Sequence, residues 1–596
     1  MIMEYLADLS IIVSITCFLA GCVYTGYKRK SLNPLLFGTA IAVFLIFVSF
    51  RLNNDQVNPS IISASLFNTF RVFLFNEDLS FVLDGISDQR LHLYISTLYV
   101  IAPVLLLGSL IAYLMELSSR IRLFFMRVRS REIFVFSEIN EKSVLLAEDL
   151  NRSRQQKEIC CVFAAAPEII EGELYDLVDR AKKCRALMQK NSISELRWIK
   201  SMKKKNVNWV MISEDQMLNL QQAIAVNELY KSSHNGAVYV FSEQPEAEML
   251  LDTMEKDKLK IRRVSDRQSI VFKLFTEHPL YDTGENKSIH VLIVGASDIG
   301  LECIKTAAWC GQMAGYKLKI TCADNNQAAF EKLKLSCPEL LEAYDIELRI
   351  TNLDSPDLWD LIYENISATY IVVARTSDDS NSQTAINIRS GYERINFNGR
   401  IPRIHVLIGS PEKSDLVRNL INGQKQRYGF TPFGSNQELY RSDVIFNNKW
   451  ESLAYEMHNW LGYDAVDFDA MEYNRKASIA AVVHMQYKHR SAGVKSSQDY
   501  ARYIENPVNL DSQARAEHER WNAYMRSEGY IRASLLEAEQ YLQAMNNHKN
   551  VMALKHSCLI GFDELDKLTE IVKPYKNIDF KEQDILSVKW LASRTV

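Results

Sequence analysis

IHVLIVGASDIGLECIKTAA, residues Ile289 to Ala308, is the stretch whose reading decides the fold. Its first half is a continuous apolar, β-rich run and its second half has helical spacing. Between them Gly295, Ser297 and Gly300 take the places of the glycines in a GxGxxG turn, with the middle one replaced. The next β-rich run, KLKITCADNN (Lys317 to Asn326), ends in Asp324, about 20 residues further on, where a carboxylate would hold a ribose hydroxyl. Two readings stay open: an adenine nucleotide bound at this turn, or a tight turn that only packs helix on strand. The replaced glycine is the one that lets backbone and pyrophosphate meet.

Working outward, the same alternation extends in both directions. Further β-rich runs lie at Ile346 to Ile350, Tyr370 to Ala374 and Ile404 to Ile408. Upstream, EIFVF (Glu132 to Phe136), EICCVFAA (Glu158 to Ala165), Trp209 to Ile212, Val238 to Phe241 and Ile261 to Val264 form a second series separated by helical stretches. Strands separated by helical patterns predict βαβ units and parallel sheets. The expected fold class is α/β, two tandem Rossmann-like doubly wound parallel sheets, with an N-terminal α-helical transmembrane region and a mainly helical C-terminal domain. In the first unit the turn SEINEKS (Ser137 to Ser143) has no glycine, and the second strand runs into Ala164, Ala165 and Ala166 rather than a carboxylate. That unit is expected to be structural, with an empty or altered site.

Ahead of the α/β part, Leu91 to Leu117 is almost uninterruptedly apolar and long enough to cross a bilayer core of about 20 residues. It runs through a basic collar (Arg120, Arg122, Arg127, Arg129, Arg131) into EIFVF with no Gly, Pro or Ser-rich linker, so movement of the soluble part would be passed to the helix. Leu9 to Tyr27 and Leu35 to Phe50 are two further spans. The first is followed rather than preceded by its basic residues, Lys28, Arg29 and Lys30, which favours a retained anchor over a signal peptide. The distribution of Lys and Arg places the N-terminus outside and everything after Arg120 in the cytoplasm. Ile61 to Phe75 reads either as a re-entrant pore helix followed by Glu77, Asp78 and Asp84, or as an amphipathic helix on the outer surface. No TVGYG-like filter is present.

At 596 residues the chain has room for roughly three to four domains. A net charge of -4 supplies no argument for a nucleic-acid polymer as partner. The ten cysteines show neither CxxC nor Cys/His ligand spacing, which points to a reducing compartment with no metal site and no disulfide framework. No GxSxG, HExxH or Walker lysine occurs, and His405 and His518 lack a nucleophile or metal beside them, so no catalytic residue is expected.

A span feeding into EIFVFSEINEKSVLLAEDL and followed by VLIVGASDIG resembles the tandem regulator-of-potassium-conductance (RCK, TrkA N-terminal) domains of cytoplasmic gating rings. The resemblance covers roughly residues 130 to 440 and implies a homo-oligomer, a tetramer or another ring. The C-terminal region resembles the bacterial ryanodine-receptor repeat (RyR) domain over about residues 445 to 575. The shared residues are Asn474, Arg475 and Ser478; Glu517, His518, Arg520 and Trp521 with Gly529 and Tyr530; and His556, Cys558, Leu559 and Phe562 with Leu565. Gly561 departs from the usual proline, which predicts a looser turn. That resemblance implies a sensor of nucleotide-derived signals of the kind found in anti-phage systems.

The residue chemistry fits such a ligand. Trp521, Tyr524 and Tyr530 offer aromatic surface for a base, and Arg475, Lys488, Arg520 and His556 offer cationic or polar groups for phosphate. The expected domains are residues 1–130, 131–285, 286–442 and 443–596. The expected function is a messenger-gated membrane effector or channel of the inner membrane, binding an adenine-nucleotide-type signal such as a cyclic oligonucleotide, an ADP-ribose derivative, NAD or ATP, with no cofactor required. The alternative is a non-conducting NAD- or ATP-sensing subunit of an ion transporter.

Overall fold

The structure, a computed structural model, describes all residues except 1, 29–32, 55–59, 75, 77–79, 85, 87, 154–158, 167–171, 203–204, 245–246, 248–249, 252, 255–256, 284–286, 396–401, 424–428, 447, 463–467, 470–471 and 595–596. The chain forms two compact units, Met1–Val128 and Arg129–Val596.

The N-terminal unit is helical: α1 (Ile2–Lys28), α2 (Asn33–Asn54), α3 (Ser60–Phe73), α4 (Ser80–Leu83) and α5 (Gln89–Arg129). Among the described residues, two stretches are long and apolar enough to cross a membrane, Leu35–Leu52 and Gln89–Ile111. At the first predicted span, the described residues Asp8–Cys22 form a further apolar helical stretch. α1 and α2 approach closely through small residues: a Cβ on Gly38 would lie 2.7 Å from the Cys17 carbonyl oxygen. α3 buries Ser65, Asn68 and Thr69 alongside Ile61, Val72 and Phe73, while Ile62, Phe67 and Phe70 are more than 60% exposed. Glu77, Asp78, Arg29, Lys30 and the side chains of Arg120, Arg122, Arg127 and Arg129 lie outside the described residues.

The second unit holds two six-stranded, wholly parallel sheets. The first contains β1 (Glu132–Phe136), β2 (Ile159–Phe163), β3 (Leu187–Met188), β4 (Asn206–Met211), β5 (Gly236–Phe241) and β6 (Leu259–Val264), in the order β3-β2-β1-β4-β5-β6. The second contains β7 (Ser288–Val294), β8 (Lys317–Asp324), β9 (Ile346–Ile350), β10 (Tyr370–Val373), β11 (Arg403–Leu407) and β12 (Phe430–Phe433), in the order β12-β11-β10-β7-β8-β9. Both therefore have the 3-2-1-4-5-6 order of a doubly wound nucleotide fold, with strand order reversing between β1 and β4 and between β7 and β10. Burial on both faces favours near-continuous apolar runs in the central strands, and Val291 to Val294 are fully buried. Every predicted strand is present; β3 and β12, short edge strands, are additional.

After β12 the chain doubles back. Two single helical turns, Asn436–Leu439 and Ser442–Ile445, carry Leu439, Tyr440, Ile445 and Phe446 into the core of the first sheet. Phe446 packs on Phe134 and Tyr239, with ring centroids 5.0 and 4.7 Å apart. The Tyr440 hydroxyl donates to Asp266 at 2.6 Å, and the Ser442 amide and hydroxyl both donate to Asp149 at 2.7 Å. The boundary expected at 442 falls inside this strap.

The remainder is mainly helical, as expected, with a small sheet of β13 (Ile531–Arg532), β14 (Lys549–Asn550) and β15 (Lys555–His556). The predicted amphipathic run 474–490 is two helices, Glu472–Val483 and Met485–Ser491, divided at His484, whose ring meets the Cys310 carbonyl at 3.1 Å. The long helix Pro507–Ser527 starts with an Asn506 cap and Pro507, and stops before Gly529, which has φ +87°. It packs on the helix Asp298–Cys310 that leaves the second sheet, with Tyr524 edge-on to Trp309 at 6.1 Å.

Candidate functional site

The glycine-poor turn of the first sheet is closed by side chains. Asn140 and Ser143 bond each other's amides at 2.9 Å, and Ser137 takes the Ile212 amide at 3.0 Å.

At the second turn, Gly295 has φ +115°, and a Cβ there would lie 2.5 Å from the Ala374 carbonyl oxygen. A Cβ on Gly300 would lie 2.1 Å from the oxygen of Gly295. Both glycines serve the close packing of the turn on β10. Ser297 caps the following helix, accepting from the Gly300 amide at 3.2 Å and donating to the Ala374 carbonyl at 2.6 Å. Asp324 accepts from the Ala296 amide at 2.7 Å and the Asn326 amide at 2.8 Å. Asp298, the first residue of the helix, places a further negative charge at its N-terminus, held by Arg267 at 2.6 Å. A carboxylate already turned onto the loop amides, and another at the helix start, favour the tight-turn reading over a bound pyrophosphate.

The C-terminal candidates separate into four places. Arg475 lies in a buried ion network, donating to Glu451 at 2.9 Å and to Glu472 at 2.9 Å. It borders a cavity of about 240 Å³ together with Tyr524 and Trp309. Lys488, 1% exposed, donates to Glu517 and contacts His484 at 3.1 Å, behind Arg520. Burial pushes the Lys488 ammonium below its ordinary range, with Glu517 opposing. Tyr530 is buried against Tyr473 and His556, at 5.9 and 6.5 Å.

Arg520, Trp521 and His556 come together on one cavity of about 480 Å³, with Tyr473, Lys549 and Lys576 on its wall. Helical spacing brings Glu517, Arg520 and Trp521 to this side of the long helix. Arg520 donates to Glu517 through Nη2 at 2.7 Å and Nε at 3.2 Å, while its buried Nη1 has no hydrogen-bond partner among the described residues. Burial pushes the Glu517 carboxyl up, but Arg520 and Lys488 outweigh it and hold it low. One carboxylate thus faces two basic groups, and one buried guanidinium N–H of a cavity-lining residue is left over. Trp521, half-buried, stands edge-on to His556 at 4.9 Å. The arrangement can take a flat heterocycle against the indole and an oxyanion on the guanidinium.

His518 on the same helix bonds Asp584 through Nδ1 at 3.0 Å and the Ile560 carbonyl through Nε2 at 2.8 Å. Burial lowers its affinity for a proton, but the two oxygen acceptors prevail and its pKa is raised. Both ring nitrogens are thus already engaged, which leaves neither turned toward a substrate as a general base.

The structure also brings together residues that no spacing pattern joins. His548, His556 and Cys558, all buried, have donor atoms within 4.8 Å of one another on the cavity wall. Gly561 has φ -66°, a value that a proline ring would also allow. No protein-family model matches the chain, and no curated protein matches it.

Proposed function

We propose that the chain is a membrane effector gated by a nucleotide-type messenger, in which a C-terminal RyR-like sensor and tandem RCK-like domains control a pore made by the N-terminal helices, acting in anti-phage defence. The observation that carries this reading is the 480 Å³ cavity, where Trp521 stands beside a buried arginine with an unused N–H. Its size suits a nucleotide-sized ligand.

Coupling is supported by where the sensor is anchored. Its long helix rests on the helix leaving the Gly295 turn, and Arg475 with Glu451 ties it to Arg262 on edge strand β6. β1 of that sheet begins after only Ser130 and Arg131 beyond α5. The proposed topology has the N-terminus outside and the soluble part in the cytoplasm, as a homo-oligomeric ring in the inner membrane. The outward apolar face of α3 supports contact with lipid or a sister chain.

Thermal stabilisation of the detergent-solubilised chain against NAD, ATP, ADP-ribose derivatives and cyclic oligonucleotides tests the sensor. Saturation at a hundred times Kd adds about 2.7 kcal/mol, a clear shift in melting temperature. The stabilising ligand is then added to the protein in a planar bilayer. Ligand-dependent conductance is expected; silence with a ligand that binds would make the chain a non-conducting regulatory subunit.

A further inference from the structure

We infer that His548, His556 and Cys558 form a site for a zinc-class transition-metal ion, opening onto the C-terminal cavity. Two imidazoles and a thiolate are the donors that zinc and its first-row neighbours select. The fold delivers them from both sides of a hairpin. β14 and β15 pair antiparallel with Lys549 opposite His556, so His548, just before β14, faces the segment that carries Cys558. The three donor atoms lie within 4.8 Å of one another. A tetrahedral ion with bonds of about 2.0–2.3 Å needs them roughly 3.5 Å apart, a closure that side-chain rotation supplies.

A second observation points the same way. His548, 8% exposed, has a buried Nδ1 with no hydrogen-bond partner among the described residues, on the wall of a cavity rather than in packed core. A buried polar atom left without a partner is costly and calls for an explanation, and a coordinated ion is one. His556 accepts the Cys558 amide hydrogen on its own Nδ1 at 3.2 Å, which orients the ring and leaves Nε2 as its ligating atom. On binding, the Cys558 S–H bond is broken, its proton goes to solvent and the sulfur electron pair enters the metal–sulfur bond. Three protein ligands leave the fourth position facing the cavity, the arrangement of an ion that keeps an exchangeable partner.

The test uses the full-length protein in detergent, freed of metal by chelation and titrated with cobalt(II). One equivalent per chain is expected to produce a thiolate-to-cobalt charge-transfer band that added zinc abolishes. Cys558→Ser removes the band. His548→Gln keeps the thiol but weakens binding by about tenfold or more, the loss that even outer ligand partners bring. No band in the wild-type protein, a band that survives Cys558→Ser, or a His548→Gln titration equal to wild type overturns the assignment. Should Cys558→Ser fail to fold, the wild-type and His548→Gln titrations decide alone.

Discussion

Trp521 and Arg520 sit one position apart on a helix yet do different work. The indole is half-buried and borders open space, so Trp521→Ala should leave the fold intact while removing a stacked base. About 1–3 kcal/mol of binding is then lost, read as a smaller ligand-induced melting shift. Arg520 is fully buried and shares Glu517 with Lys488, so the informative change is Arg520→Lys, which keeps a charge but discards the unused Nη1. Ligand affinity should fall with little change in the ligand-free melting temperature. His518 supplies a separate test by pH. Its pKa is raised on folding, so its stabilisation is complete below the unfolded imidazole value of about 6.5 and is lost as pH rises through the folded value. The stability difference between wild type and His518→Gln should therefore be greatest in mild acid and shrink toward alkaline pH in denaturant titrations. Trp521, Arg520 and His556 were legible because they stand in a motif. His548 was not, since it lies in a turn without periodicity and only the hairpin register brings it to Cys558.

Among elements, the joint between β6 and the C-terminal helices centres on Glu451, with Asp469 as a second acceptor for Arg262 and Glu472 as a second for Arg475. Glu451 receives Arg262 at 2.7 Å and Arg475 at 2.9 Å, with both guanidiniums almost fully buried. Burial pushes the Glu451 carboxyl up, yet Arg475 and Arg262 outweigh it and bring it down to about 2. A depressed carboxylate stabilises above its unfolded pKa, and the contribution disappears as pH falls from about 4.5 toward 2. Glu451→Gln leaves two buried cations under-compensated and should cost about 3–5 kcal/mol at neutral pH, with a shallower dependence of stability on acid. The long strands were readable because burial on both faces leaves continuous apolar runs. The strap 436–446 was not, because two single helical turns carry no period and their destination is set by a cavity in a sheet nearly three hundred residues earlier.

For the whole molecule, the proposed transmission would run through the short passage from α5 to β1. A flexible Gly/Ser stretch inserted after Arg129 should leave ligand-induced melting shifts unchanged while abolishing ligand-dependent conductance in the bilayer; unaltered gating would count against mechanical transmission. The returning strap has a different consequence, one of timing. The first sheet is made early on the ribosome, but Tyr440 and Phe446, which seal its core, leave it only after the entire second sheet has been synthesised. Until then Phe134, Tyr239 and Phe241 lack their covering, and closing them is a contact of very long sequence separation, the slow kind. The nascent chain therefore carries an unfinished apolar surface for hundreds of residues, a natural place for a chaperone to hold it.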